Sequence, residues 1–244
     1  MKEKPVPSPF EFDLSDIRTL EQLKHRPRVD RALLRRLGLR GLHCGCGLNL
    51  FPACLNTDCS RLTDRKGKES RKNRIACVNG ELYYMEHDST QPIPIQGNSF
   101  DWVYSEHFIE HLEREAAIEW LKEIRRLLCP GGLLRLTTPD LAGYVEGYLG
   151  NRPDFFARHR KRISHLFPEG APNRRAWMLN QIFYFWEHRW LYDFDEVVYA
   201  ANQAGFPPDR VTRCSFGRGQ VAEVCTLDWD FRNDESLYVE LVKK

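Results

Sequence analysis

The run Leu42-His43-Cys44-Gly45-Cys46-Gly47-Leu48-Asn49 has the make-up of a buried strand ending in a glycine turn. Gly45 and Gly47 would let backbone N–H groups approach a ligand that a side chain would block. Asp58 closes the next short run, Leu55-Asn56-Thr57, where a carboxylate can accept hydrogen bonds from a ribose diol. Asp88, with Ser89 after it, and the triplet Ser105-Glu106-His107 also stand at the ends of apolar runs. His107, His111 and His188 are candidates to take a proton from an attacking hydroxyl, since an unperturbed imidazole titrates at about 6.5. His188 sits between aromatics in Trp186-Glu187-His188-Arg189-Trp190, with Glu187 able to orient it. A Gly-x-Gly alone is common loop punctuation; what gives it meaning is the set of elements around it.

Those elements alternate. Leu39 to Cys44, Leu55 to Asp58, Glu81 to Glu86, Phe100 to Tyr104 and Leu133 to Thr137 have the composition of strands. Phe108 to Leu112 starts a helix, which would put His107 and His111 on one face. Residues 116–128 form an amphipathic helix with Ile118, Leu121, Ile124, Leu127 and Leu128 on its stripe, ended by Pro130-Gly131-Gly132. Asp193 or Asp195 caps a helix running to about Gln203, with Ala204-Gly205-Phe206 as its exit. Val211 to Phe216 and Leu237 to Val242 are the last strands and suit an antiparallel edge. Alternation of this kind predicts an α/β fold with a doubly wound, mostly parallel sheet, whose ligands sit at the carboxyl ends of the strands. Only a handful of residues separate Gly47 from Leu55, too few for an ordinary crossover. Either the first helix is cut to about one turn, or the second strand lies elsewhere.

The ends of the chain and its middle depart from the alternation. Residues 1–39 form an N-terminal arm: a proline-rich start, a helix over 16–25 capped by Ser15 and broken at Pro27, then helical spacing from Val29 to Leu37 that stops at Gly38. Residues 40–244 form one domain. Within it, residues 141–190 are a helical insertion rich in aromatics, suited to an acceptor pocket and lid. Its basic run, Arg158, Arg160, Lys161 and Arg162, is expected on a wet helix face. Residues 60–74 are basic and lack apolar periodicity, as in a mobile loop. Glu110 is expected to serve a helix terminus. His25, His43, His159 and His165 are expected to be structural or solvated, His43 bonding to backbone.

A net charge of +2 gives no global attraction to nucleic acid or membrane, and no apolar run is long enough to span a bilayer. Neither partner is expected; a homo-oligomer is compatible with the sequence. Met1-Lys2-Glu3-Lys4-Pro5 lacks the apolar core of a secretion signal, and eight cysteines without disulfide or Cys-x-x-Cys spacing suit a reducing cytoplasm. Cys44, Cys46, Cys54 and Cys59 are expected to be structural thiols. No spacing in the chain indicates a metal site.

Taken together the motifs resemble those of class I S-adenosylmethionine-dependent methyltransferases. His43-Cys-Gly-Cys-Gly47 is similar to the glycine-rich first motif, and Asp58 to the acidic residue that holds the ribose. His87-Asp88 is similar to the strand end that meets the adenine. Residues 98–112 and 123–135 are similar to the fourth strand and to the helix, turn and fifth strand that follow. The resemblance covers roughly residues 40–140 and 190–244 and is closest to a bacterial-type subgroup that modifies sugars or other small molecules. It implies S-adenosyl-L-methionine as cofactor, bound by Gly45, Cys46, Gly47, Asp58, Asp88, Ser89, Ser105 and Glu106. It also implies methyl transfer to a small acceptor, most simply a hydroxyl. Asn49 replaces the third glycine of the family motif, and the first helix is nearly absent. A nicotinamide dehydrogenase on the same architecture fits less well, because Gly47 is not followed by x-x-Gly opening a helix. A non-catalytic interaction protein of the same fold is the other alternative.

Overall fold

Near-continuous apolar runs mark strands covered on both faces, and such strands form the centre of this chain. The computed structural model describes residues 14–20, 29–167 and 169–244. The proline-rich start, the second half of the helix expected over 16–25 and its break at Pro27 lie outside the described residues. In chain order the elements are β1 (Ile17–Thr19), α1 (Arg31–Arg36), β2 (Gly41–Cys44), β3 (Cys54–Asp58), β4 (Ile75–Val78), β5 (Leu82–Glu86), β6 (Phe100–Glu106), α2 (Arg114–Leu127), β7 (Leu128–Pro139), α3 (Leu141–Leu149), α4 (Phe155–Ile163), α5 (Arg175–Tyr184), α6 (Phe194–Gln203), β8 (Val211–Cys214), α7 (Ala222–Cys225) and β9 (Ser236–Val242).

The strands make one sheet in the order β1-β4-β5-β3-β2-β6-β7-β9-β8. From β5 through β3, β2 and β6 to β7 every pairing is parallel. β9 runs antiparallel to β7, and β8 antiparallel to β9, as the closing strands predict. This is the Rossmann-like, doubly wound arrangement expected, with antiparallel pairs at both edges. Order reverses between β2 and β6, so the switch point lies where β2 ends in its glycine turn.

One edge differs from expectation. Ser15 caps no helix; Ile17–Thr19 is a strand that pairs antiparallel with β4, itself antiparallel to β5. A short isolated helix is marginal in water, whereas the open edge of β4 offers backbone partners. Nor is the basic stretch 60–74 a free loop. Asp64 accepts from the amides of Lys66 and Lys68 (both 2.9 Å), and Ser70 donates to Glu86 of β5 (2.9 Å).

One face of the sheet is covered by α1, α2 and α6, through Leu33 and Leu34, Trp120, Leu121 and Ile124, and Val197 and Ala201. Each such side chain contributes about 2 kcal/mol when fully buried. α1 is capped by Asp30, which accepts from the Leu33 amide (2.8 Å), and it stops at Gly38 in the left-handed region. Asp193, rather than Asp195, caps α6.

The other face shows what the clipped crossover does. β3 is where the sequence places it, but residues 45–53 are turns with no helix among them. In place of that helix, Phe51 and the β8–β9 connection cover the sheet: Val221, Val224 and Leu227 pack on Cys54, Trp102 and Tyr104. The layer is thin. A Cβ on Gly41 would lie 2.2 Å from the Trp102 ring, so β2 needs glycine there. Arg135, wholly buried on β7, fastens the connection. Its guanidinium meets Asp228 (Nε to Oδ1 2.7 Å) and Glu240 (Nη1 to Oε1 2.9 Å) and donates to the carbonyls of Ser215 and Arg218.

The insertion is helical, as expected, and α3, α4 and α5 enclose their own small core of Tyr144, Phe155, Phe156, Met178 and Ile182. Several aromatics expected to line a pocket are used up there. Tyr148, Phe183, Tyr184, Phe185 and Trp190 remain exposed.

Candidate active site

The ends of β5, β3, β2 and β6 lie side by side: Asp58 pairs with Glu86, Cys44 with Thr57, and Cys44 with Ser105. Adjacent strands lie about 4.8 Å apart, so the strand-end residues form one row about 14 Å long. At its centre, Gly45 and Gly47 take φ of +66° and +51°. A Cβ on Gly45 would lie 2.5 Å from the Phe108 ring, whereas one on Gly47 would meet open space. The turn is thus tight on the Phe108 side and open on the other. Cys46 has its amide engaged by Thr57 O (3.1 Å) and offers no N–H to a ligand; its thiol is buried.

Asp58 accepts from the amides of Gly47 (Oδ2, 2.9 Å) and Ser60 (Oδ1, 2.9 Å), which fixes its carboxylate against the glycine turn. Each oxygen keeps acceptor capacity for a hydroxyl. Asp88 is fixed in the same manner: Oδ1 accepts from the Thr90 amide (3.0 Å) and hydroxyl (2.7 Å), which hold its carboxyl below the usual range. Ser89 is buried beside it. The Ser105 hydroxyl is buried without a hydrogen-bond partner among the described residues. Glu106 accepts from the Trp229 amide (3.2 Å), and burial pushes its carboxyl up to about 7.

Past β6 the chain turns sharply. His107 has φ +47°, and residues Ile109–His111 make only one 3-10 turn before α2. The helix expected over 108–112 is therefore absent, and His107 and His111 do not share a helix face. His107 lies with Nε2 2.7 Å from Ser236 Oγ and Nδ1 3.4 Å from Glu110 Oε1; burial holds its pKa well below 6.5. Glu110 serves no helix terminus. It is wholly buried, Oε2 accepts from Thr138 Oγ1 (3.1 Å), and burial pushes the carboxyl up to about 8.

His111 and His188 meet edge to face, ring centroids 5.0 Å apart. His188 comes from the end of the insertion, and the backbone brings it there: the amides of Arg189 (2.7 Å) and Trp190 (3.2 Å) donate to Glu110 O. Burial lowers both imidazoles, His188 to about 4. The three proposed histidines thus converge around Glu110, while the glycine turn and the two aspartates stand farther along the row of strand ends.

The other histidines among the described residues are structural; His25 lies outside those residues. His43 stacks on Phe51, lies with Nδ1 3.3 Å from the Asn56 side-chain oxygen and, as expected, also bonds to backbone, at Asn49. His159 joins a buried network with Tyr144, Arg162 and Glu235. Arg162 donates to Glu235 (2.9 Å), so this member of the basic run is not on a wet face. Sequence reasoning missed Thr138, Trp229 and Ser236, whose partners lie far away along the chain.

The residues present suit S-adenosylmethionine. Two fixed carboxylates match a diol and an adenine amine, the open side of the glycine turn admits a close-lying ligand, and Ser105 and Glu106 offer polar atoms toward a charged amino acid end.

Residues 42–136 match the family described as a methyltransferase domain. Among solved structures, an S-adenosylmethionine-dependent methyltransferase from Mesorhizobium loti is 16% identical with TM-score 0.43, covering 87% of this chain and 96% of that one. One from Archaeoglobus fulgidus is 13% identical with TM-score 0.43, covering 87% and 92%. Phosphoethanolamine N-methyltransferase 2 of Haemonchus contortus, in complex with S-adenosyl-L-methionine, is 13% identical with TM-score 0.44, covering 87% and 51%. No curated protein matches the chain. Residues 42–136 thus carry a methyltransferase domain. The protein is accordingly an enzyme, and S-adenosyl-L-methionine is its methyl donor. Among the described residues no helix is long and apolar enough to cross a membrane.

Proposed function

We propose that the chain methylates a hydroxyl of a small, sugar-like or natural-product acceptor, with the donor held by Gly45, Gly47, Asp58, Asp88, Ser89, Ser105 and Glu106. The observation that carries this is the meeting of His111 with His188, one from the turn after β6 and one from the insertion. Both are uncharged at neutral pH, so each can accept a hydrogen bond from a hydroxyl. S-adenosylmethionine, when bound, supplies a methyl group on a sulfonium that an oxygen lone pair displaces in line. The chain's task is to align acceptor and donor, exclude water and receive the hydroxyl proton. His111 and His188 receive it, while His107, tied to Ser236, positions the turn that carries His111. The exposed Phe183, Tyr184 and Trp190 offer faces for a ring to stack on.

Calorimetry with S-adenosylhomocysteine tests the donor half. Asp58→Ala removes two charge-assisted acceptors at about 1.5–3 kcal/mol each, so affinity should fall about 150-fold or more. Unchanged affinity would remove Asp58 from the ribose site. A panel of sugar and phenol acceptors, followed by mass of the product, tests the acceptor half. Turnover only with amines would refute the hydroxyl assignment; donor binding with no turnover on any acceptor would favour a non-catalytic role.

A further inference from the structure

We infer that Glu110, His111 and His188 bind one divalent first-row transition-metal ion, such as Mn2+, Fe2+, Co2+ or Zn2+. Among the described residues this is the one group whose ligand atoms all lie within 4.8 Å of one another. It rests on the acceptor site proposed above only for its purpose; the binding itself stands apart from that reading.

The hydrogen bonds around Glu110 carry the inference. Oε2 takes the Thr138 hydroxyl, whereas Oε1, fully buried, accepts no hydrogen bond among the described residues. His188 Nδ1 lies 2.6 Å from Ile182 O, a carbonyl that can only accept. The ring proton is therefore on Nδ1, and Nε2 carries a lone pair. Histidines that ligate metals are held in this way, one nitrogen donating to a carbonyl while the other faces the ion. His107 adds to the pattern without serving as a ligand. The Ser236 hydroxyl donates to Arg232 O (2.7 Å), so it accepts from His107 Nε2 (2.7 Å). The His107 Nδ1 lone pair is then left 3.4 Å from Glu110 Oε1. The ionised Glu110 Oε1 thus has the His107 Nδ1 lone pair beside it and no hydrogen-bond donor among the described residues, with ligand atoms of His111 and His188 within 4.8 Å of the Glu110 carboxylate. A cation resolves that conflict.

The backbone is shaped to bring these groups together. Glu187 adopts a left-handed φ of +58°, unfavourable for a residue with a side chain, and so turns His188 back toward Glu110. The paired amides of Arg189 and Trp190 on Glu110 O hold it there. Ion–ligand bonds of about 2.0–2.2 Å place ligand atoms about 3–4 Å apart, so a modest closure of the two rings completes the site. Two imidazoles and one carboxylate suit a transition metal better than Mg2+ or Ca2+, which favour oxygen throughout, and they leave coordination positions open.

With the ion present, His111 and His188 engage the acceptor through the metal rather than directly. The acceptor class is then one with two adjacent oxygens able to chelate. Metal contact makes its hydroxyl more acidic. In the transfer the C–S pair stays on sulfur, the acceptor oxygen forms the new C–O bond, and the hydroxyl proton passes to water.

The test is Co2+ titration of the untagged, chelator-treated full chain, followed by visible absorption, with S-adenosylhomocysteine calorimetry in parallel. One equivalent of Co2+ per chain with d–d bands is expected, with binding weakened at least tenfold in Glu110→Gln and in His188→Ala. Circular dichroism checks folding; if Glu110→Gln fails to fold, the half-exposed His188 still decides. Absence of Co2+ binding, or unchanged binding in His188→Ala, overturns the metal site and indicates a proton on Glu110 instead. Loss of donor binding with Co2+ binding intact would count against the methyltransferase assignment alone.

Discussion

Replacing Arg135 by Met should destabilise this protein more than most substitutions in its apolar core. The guanidinium is wholly buried and donates to Asp228, Glu240 and the carbonyls of Ser215 and Arg218. Met fills much of the volume but satisfies none of these acceptors. Asp228 keeps the Gly217 amide (2.8 Å), and Glu240 the Gln220 amide (2.9 Å) and the weak Cys225 thiol donor (4.0 Å). Two carboxylates are left buried without a counter-charge, at a cost of about 3–5 kcal/mol. For a chain of this size each kcal/mol lowers Tm by about 2–4 °C, so a drop of about 6–20 °C is expected. Calorimetric melting at neutral pH measures it. Adding Asp228→Asn and Glu240→Gln removes the orphaned charges and should restore more than half of the loss. A drop below about 3 °C, or no recovery in the triple variant, would refute the account of Arg135 as the fastening of the β8–β9 connection.

Glu106 should make stability depend on pH. Burial raises its carboxyl from 4.5 to about 7, so the folded state holds a proton that the unfolded chain releases between those values. Stability then falls as pH rises from about 4.5 to 7, by about 3 kcal/mol from this group. Urea melts of Glu106→Gln against the parent should show that slope flattened, and an identical slope would refute it. Among the cysteines, burial pushes Cys44 up to about 12 and Cys46 well above its usual value, while Cys59 is exposed. Iodoacetamide on the native protein should label Cys59 first and spare Cys44 and Cys46, read by peptide mass. Labelling of Cys46 at the rate of Cys59 would show that the glycine turn opens.

Much of the site could be seen in the sequence because its parts are local. A strand end, a glycine turn and the carboxylate that follows are each written in a few consecutive residues, and parallel pairing then brings Gly47, Asp58 and Glu106 to one end of the sheet. The stripe of α2 was visible for a similar reason, since its period is local. What could not be seen depends on partners far apart. β1 and β4 are three and four residues long, too short to show a period, and exist by pairing with each other and with β5. Glu110 looked like a helix-terminal acid because its partners, Thr138 and the amides of Arg189 and Trp190, lie far along the chain.

The missing first helix is the more instructive case. Its absence was visible as a short gap between Gly47 and Leu55, but not what replaces it. The β8–β9 connection lays Val224 and Leu227 on the exposed face of the sheet, and in doing so brings Trp229 to Glu106 and Ser236 to His107. One segment therefore does the work of the helix and also finishes the site at two points. Its fastening, Arg135, touches neither donor nor acceptor, yet it sets where both Trp229 and Ser236 stand. Loosening it should raise the KM for donor and acceptor together before the protein unfolds. A substitution confined to His188 should affect the acceptor alone.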